Sequence, residues 1–232
     1  IKAAARIDGF VLRSAAAGIM QRGGPDVEWQ ASRLAIVDCR IGISLNDASG
    51  TIGSARVRNV AIFGGPEFIG LGTNDAGRLE VSDCLVANCG AAFQGYDHLA
   101  FRVSGGALLD CARIVEESTS HRPVPPATSR IEIGAGLRVV RADDLREPAR
   151  IAEFLSFLRK TVFGDDGPDN RGAPATAMPA EEALIALIEG RIDLENGRYV
   201  AAEASFGRAL HGAREAGSEG LAWQALLDIA RT

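Results

Sequence analysis

The sequence predicts a mainly β solenoid over residues 1–145 and α-helices over residues 181–232, and three observations carry that reading. An alternating apolar pattern with a fixed phase break recurs at spacings of 21 to 29 residues. The residue at each break is Gly, Asn or Asp. Beyond Glu147 the apolar period changes from two to between three and four, the spacing of a helical face.

The best-formed copy of the pattern is Arg78-Leu79-Glu80-Val81-Ser82-Asp83-Cys84-Leu85-Val86. Leu79 and Val81 alternate, and after a skip of three Cys84 and Val86 alternate again. A strand changes face at every residue, so this skip means that the chain turns a corner and keeps its apolar side inward. The same template fits Ala5, Ile7, Phe10 and Leu12; Leu34, Ile36, Cys39 and Ile41; Ala55, Val57, Val60 and Ile62; and Phe101, Val103, Gly106 and Leu108. A sixth copy, Ile131, Ile133, Gly136, Leu137 and Val139, fits with one extra residue. The corner slot holds Gly9, Asp38, Asn59, Asp83 and Gly105, residue types that enter the left-handed region at least cost. Self-similarity at this period means coils that bury a shared core by stacking. Asp38, Asn59 and Asp83 are therefore expected at equivalent corners, about 4.8 Å apart per coil.

On Ile7-Asp8-Gly9-Phe10, Ile36-Val37-Asp38-Cys39 and Val81-Ser82-Asp83-Cys84, residues 1–145 resemble the pectate-lyase-like right-handed parallel β-helix family. The resemblance implies about six coils. It implies little about activity, because the family spans lyases, hydrolases, epimerases and non-catalytic interaction domains.

The 232 residues are 47% hydrophobic but only 6% aromatic, with 27 Gly, which suits a turn-rich β body joined to an Ala-rich helical part. A net charge of -5 argues against a general nucleic-acid binder. No apolar run reaches membrane-spanning length and no signal peptide is visible. The expected location is cytoplasmic, in a larger multidomain, bacterial protein of which this chain is a piece. On the coil template Cys39 and Cys84 share one slot two coils apart, and Cys89 and Cys111 share another in adjacent coils. Stacked side chains point alike, so four free thiols are expected, which suits a reducing interior.

Two insertions, around residues 20–28 and 119–126, lengthen the first and fifth coils and are expected on the outside, where binding sites commonly lie. Ile151, Phe154, Leu155, Leu158 and Val162 mark an amphipathic helix within 146–163, expected to cap the solenoid edge. Residues 164–180, rich in Gly, Pro and Asp, read as a flexible linker. Three helices follow, Glu181–Glu195, Tyr199–Ala213 and Glu219–Ala230. Through Gly190, Gly197, Tyr199, Ala202, Phe206, Ala209 and Leu210 this stretch resembles the tetratricopeptide repeat family, as the start of a longer array. It departs from that pattern at Ala186, where the family carries Trp, and in lacking a Pro after the second helix.

Candidate chemistry is sparse. Asp97-His98 pairs a carboxylate with a general base, provided the segment is a turn that brings both to one side. Thr73-Asn74-Asp75 permutes the Asn-Thr-Asp triplet of polygalacturonase-like enzymes, whose companion motifs are missing, so Asp75 is expected at a turn tip. His121 falls in the proline-flanked insertion. No metal-ligand pairing such as Cys-x-x-Cys occurs, and no cofactor is expected. Outward slots of the first strand read Arg6, Arg56 and Arg102, with Arg58 two residues on, a basic stripe suited to an acidic protein face or an acidic glycan. Tyr199 and Phe206 are the aromatic positions of the helical repeat, with a mainly structural role. The functional expectation is a non-enzymatic recognition or scaffolding segment that binds a protein partner through the β-helix flank and the helical groove, with neither nucleic acid nor membrane as partner. The rival is a carbohydrate-active enzyme acting on an acidic polysaccharide.

Overall fold

The computed structural model describes residues 5–9, 11–13, 15–22, 28–46, 53–73, 77–95, 100–117, 130–164 and 181–232. The chain forms two compact units, Ile1–Val139 and Val140–Thr232.

The first unit is a parallel β-solenoid. Its strands follow in order as β1 (Ala5–Asp8), β2 (Val11–Arg13), β3 (Ala17–Arg22), β4 (Glu28–Val37), β5 (Ile41–Asn46), β6 (Gly53–Phe63) and β7 (Ile69–Thr73). Then come β8 (Gly77–Ser82), β9 (Leu85–Ala87), β10 (Ala91–Gly95), β11 (Ala100–Ser104), β12 (Ala107–Leu109), β13 (Arg113–Glu117), β14 (Arg130–Ile133) and β15 (Arg138–Val140). One sheet runs β14-β11-β8-β6-β9-β12-β15, with β4 joining β6 to β1 and β2, and a second runs β13-β10-β7-β5-β3. Register is strict: Ala31, Val57, Val81 and Val103 stand in one column, and Leu34 pairs with Val60 and Ile36 with Ile62 in another. The inward columns, among them Ile43, Leu71 and Phe93 from the second sheet, form a single apolar core.

The expectation of about six coils is corrected to about three turns. Buried inner positions run from β4 to β12. At the ends the inner positions open: Ile7 and Leu12 are half-buried, and Ile133 is 50% and Val139 58% exposed. A motif copy predicts a strand and a corner, whereas a closed turn also needs a third strand and neighbours on both sides.

The second sheet is narrow where glycines stack. Gly18, Gly42 and Gly70 are in register, and each faces an aliphatic side chain. A Cβ added at Gly42 would lie 2.5 Å from Gly70 O and 2.7 Å from Ile62 Cγ2. At Gly18 it would meet Ile36 Cγ2 at 2.6 Å, and at Gly70 it would meet Val86 Cγ1 at 2.5 Å. Absence of side chains in this column lets the sheets close on Ile36, Ile62 and Val86.

Each turn has two corners, most of them held by a left-handed residue, and this overturns one expected equivalence. Asn59 (φ 52°) and Asp83 (φ 54°) share the first corner with Gly9 and Gly105. The second copy puts Arg33 there, because Trp29 and Ala31 pair with Ala55 and Val57. Asp38 instead lies at the second corner: its N–H donates to Phe63 O, as that of Gly64 does to Ala87 O and that of Asn88 to Leu109 O. Both corners carry the same signature of alternating apolar residues and a turn former, so the pattern alone slipped copy two by one corner. Arg33 at φ 52° is costly for a long side chain, by about 1–2 kcal/mol. Its guanidinium pairs with both carboxylate oxygens of Asp8, which also accepts from Ser32 Oγ at 2.9 Å. Cys39 accordingly belongs to the second corner with Cys89 and Cys111, not with Cys84.

The described residues of the second unit form four helices, α1 (Pro148–Leu158), α2 (Glu181–Glu195), α3 (Tyr199–Glu215) and α4 (Glu219–Ile229), after a short 3-10 turn over Ala142–Leu145. Pro148 starts α1, where its missing N–H costs nothing. α1 runs on into a π-helical turn, Arg159–Phe163. Ile151, Phe154, Leu155, Leu158 and Val162 are its buried face. This helix belongs to the second unit, which begins at Val140. The expected linker lies, from residue 165 to 180, outside the described residues.

α2 is buried on most of its circumference, which is why its composition lacks an amphipathic stripe. Gly190 permits the crossing of α2 and α3, since a Cβ there would lie 2.5 Å from Phe206 Cδ1 and Cε1. Asn196 ties the α2 end to the 3-10 turn by donating to Ala142 O at 2.9 Å. Asp228 of α4 is 1% exposed and accepts from Arg191 Nε at 2.9 Å, Gln224 Nε2 at 3.2 Å and Arg231 at 2.9 Å, so a buried ion pair joins α2 to α4.

Candidate functional site

Asp75, Asp97, His98 and His121 lie outside the described residues. Among the described residues, no group of three His, Cys, Asp or Glu side chains is arranged to hold a metal ion.

Register places Arg6, Gln30, Arg56, Glu80, Arg102 and Glu132 in one outward column. The basic stripe is thus an alternating ladder. Arg56 Nε lies 3.2 Å from Glu80 Oε2, Arg102 NH2 lies 3.2 Å from Glu132 Oε2, and Arg78 also reaches Glu80 at 3.0 Å. Both members of the Arg102–Glu132 pair are more than half exposed, so each such pair contributes only about 0–1 kcal/mol. Arg58 stands two residues further along β6 toward the corner, 3.6 Å from Asp83, and is half-buried. Burial raises the Asp83 carboxyl above its ordinary range, and the Arg58 charge opposes that rise. The sequence pattern places Glu80 and Asp8 as breaks in the arginine stripe, and the pairing of Arg56 with Glu80 and of Arg102 with Glu132, 24 and 30 residues away, comes from register.

In the helical unit Phe206 is fully buried in the core, while Tyr199 is 57% exposed. Sequence reasoning missed other exposed apolar residues of this unit. Trp223, Leu226 and Leu227 of α4 are 57%, 36% and 43% exposed, and Val200 of α3 is 84% exposed. Trp223, Leu226 and Leu227 follow at i, i+3 and i+4, hence on one side of α4. That spacing was readable, but a helical stripe reads as core until the opposite stripe, here Leu221, Ala222 and Ala225, is seen to be the buried one.

All four cysteines are free thiols. Burial pushes Cys84 up to about 12 and raises Cys39. Cys111 is shifted the other way, held down by a hydrogen bond with the Cys89 side chain.

No protein-family model, no curated protein and no solved structure matches this chain. No described helix is long and apolar enough to cross a membrane.

Proposed function

We propose that this chain is a non-enzymatic recognition or scaffolding module that binds a protein partner through the helical unit and the solenoid flank. The observation that carries the reading is the apolar side of α4, Trp223, Leu226 and Leu227, with Tyr199 and Val200 on α3. Scattered surface hydrophobes are ordinary, but a large aromatic and two leucines on one helical side are the composition of a protein contact. The ladder of Arg56, Glu80, Arg102 and Glu132 favours a protein face bearing both signs over an acidic glycan. A polyanion would have to displace Glu80 and Glu132 from their arginines.

Two finer assignments belong to the same proposal. The solenoid is a right-handed β-helix of the pectate-lyase-like kind, a reading supported by its parallel strands and stacked corners. The helices are of tetratricopeptide type, supported by Gly190 against Phe206. Four free thiols support a reducing, cytoplasmic location.

A photo-reactive phenylalanine analogue at position 223, irradiated in the source cells, tests the reading. It is expected to give a defined protein adduct that Leu227→Glu abolishes while the far-UV spectrum of the purified variant is unchanged. The enzyme reading replaces it if the purified chain cleaves an acidic polysaccharide and Asp97→Ala with His98→Ala stops the cleavage.

A further inference from the structure

Cys89 and Cys111 directly follow the left-handed residues Asn88 (φ 57°) and Asp110 (φ 50°) at successive levels of the second corner. Asn88 N donates to Leu109 O at 2.8 Å and Ala112 N donates to Cys89 O at 2.9 Å, which locks the two cysteines in register. One strand spacing puts their Cα atoms about 5 Å apart, inside the range of roughly 4.4–6.8 Å that a disulfide spans. Neither residue lies in a strand. Each thiol donates to the carbonyl two residues back, Cys89 to Ala87 O at 3.5 Å and Cys111 to Leu109 O at 3.8 Å, so the sulfurs stack one level apart and a rotation about χ1 is what brings them together.

The Cys111 sulfur reaches back toward the level of Cys89. The Cys111 thiol donates to Val86 O at 3.5 Å, a backbone atom of the preceding level, and it is hydrogen-bonded to the Cys89 side chain. The pair is also chemically asymmetric. Cys89 is 1% exposed, whereas Cys111 is half-buried and open to a small reagent. The hydrogen bond from Cys89 favours the Cys111 thiolate, while Cys84 and Cys39 are shifted toward the inert thiol by burial.

We infer that Cys89 and Cys111 are an oxidation site for a peroxide, with Cys111 as the attacking thiol and Cys89 as the resolving thiol that closes a disulfide between adjacent levels. Cys111 sulfur attacks one peroxide oxygen, an S–O bond forms, the O–O bond breaks, and the departing hydroxide is protonated to water. Cys89 sulfur then attacks the resulting sulfenic acid. The S–S bond forms, the S–O bond breaks, and the leaving hydroxide takes up the Cys89 proton. Two thiols lose two electrons, and one peroxide becomes two waters. The bridge closes the chain from 89 to 111 and pins two levels of the solenoid together.

The test is to treat the native chain with hydrogen peroxide, alkylate it with N-ethylmaleimide under denaturing conditions, and digest it with trypsin. The expected product joins fragment 79–102 to fragment 103–113, with fragmentation placing the link at Cys89 and the label on Cys84 and Cys39. Titratable thiols fall from four to two. Cys111→Ser abolishes the joined product, Cys84→Ser leaves it intact, and dithiothreitol reverses it. The inference is overturned if all four thiols survive a peroxide dose that oxidises glutathione. It is equally overturned if Cys111 goes to sulfinic acid unjoined, or if the link falls at Cys84 or Cys39.

Discussion

Gly190→Ala is expected to destabilise the helical unit, against the usual behaviour of that substitution. In an exposed helix interior, Gly→Ala gains about 1 kcal/mol of helix propensity. At Gly190 the new Cβ would lie 2.5 Å from two Phe206 ring carbons and 3.1 Å from Cγ. Carbon contacts settle near 3.5–4 Å, so the ring or the helix must move by about 1 Å. Phe206 is 0% exposed and cannot swing outward. Overpacking of this kind costs about 1–3 kcal/mol, which outweighs or cancels the propensity gain and leaves a net loss of up to about 2 kcal/mol. Gly207 on α3 is the internal control. A Cβ there meets nothing within 4 Å, so Gly207→Ala is expected to stabilise by about 0.5–1 kcal/mol. Urea unfolding followed by ellipticity at 222 nm reads both. In a Phe206→Leu background the penalty at Gly190 should disappear, a coupling of about 1–2 kcal/mol by double-mutant cycle. If Gly190→Ala stabilises as much as Gly207→Ala, the close crossing of α2 and α3 is wrong, and the support for a tetratricopeptide geometry goes with it.

The same method checks the other expectations. Gly42→Ala puts a methyl group against Gly70 O and Ile62, and since one of these atoms is backbone it should cost about 1–3 kcal/mol with no rescue from Ile62→Val. Arg191→Ala strands Asp228, which is 1% exposed, and should cost about 3–5 kcal/mol; a loss under 1 kcal/mol would mean that the pair is solvated. Asp83 has a folded-state pKa above its unfolded value, so the folded form holds its proton more tightly and stability falls as pH rises through that window. Asp83→Asn, which keeps a residue tolerant of φ 54°, should therefore stabilise at neutral pH and lose its advantage below about pH 4; a constant difference across pH would refute the burial argument. Reversing Arg56 and Arg102 to Glu should weaken binding of any partner found by cross-linking and flatten its salt dependence, and unchanged affinity would remove the flank from the interface.

The sequence by itself determined that the chain stacks strands, where the apolar columns run, and where the helices begin. Alternation, left-handed corner residues and a change of period are local properties, and the backbone obeys them locally. Leu79, Val81, Asn59 and Asp83 sit as their pattern demands, and Glu181–Glu195 is helical as its composition demands. Only the tertiary structure decided which corner Asp38 occupies. A turn with two equivalent corners offers two phases to one motif, and the phase is set by strand pairing between residues 24 to 26 apart, such as Ala31 with Val57. The ion pair that lets Arg33 hold a left-handed corner spans 25 residues, and no local signal announces it. The same cause pairs the arginine stripe with its acids, since Arg102 finds Glu132 through register and not through sequence proximity. The number of closed turns and the open side of α4 are likewise matters of what lies above and beside an element. Burial is a property of neighbours, and the neighbours of Ile133 or Trp223 are fixed only when the chain has folded.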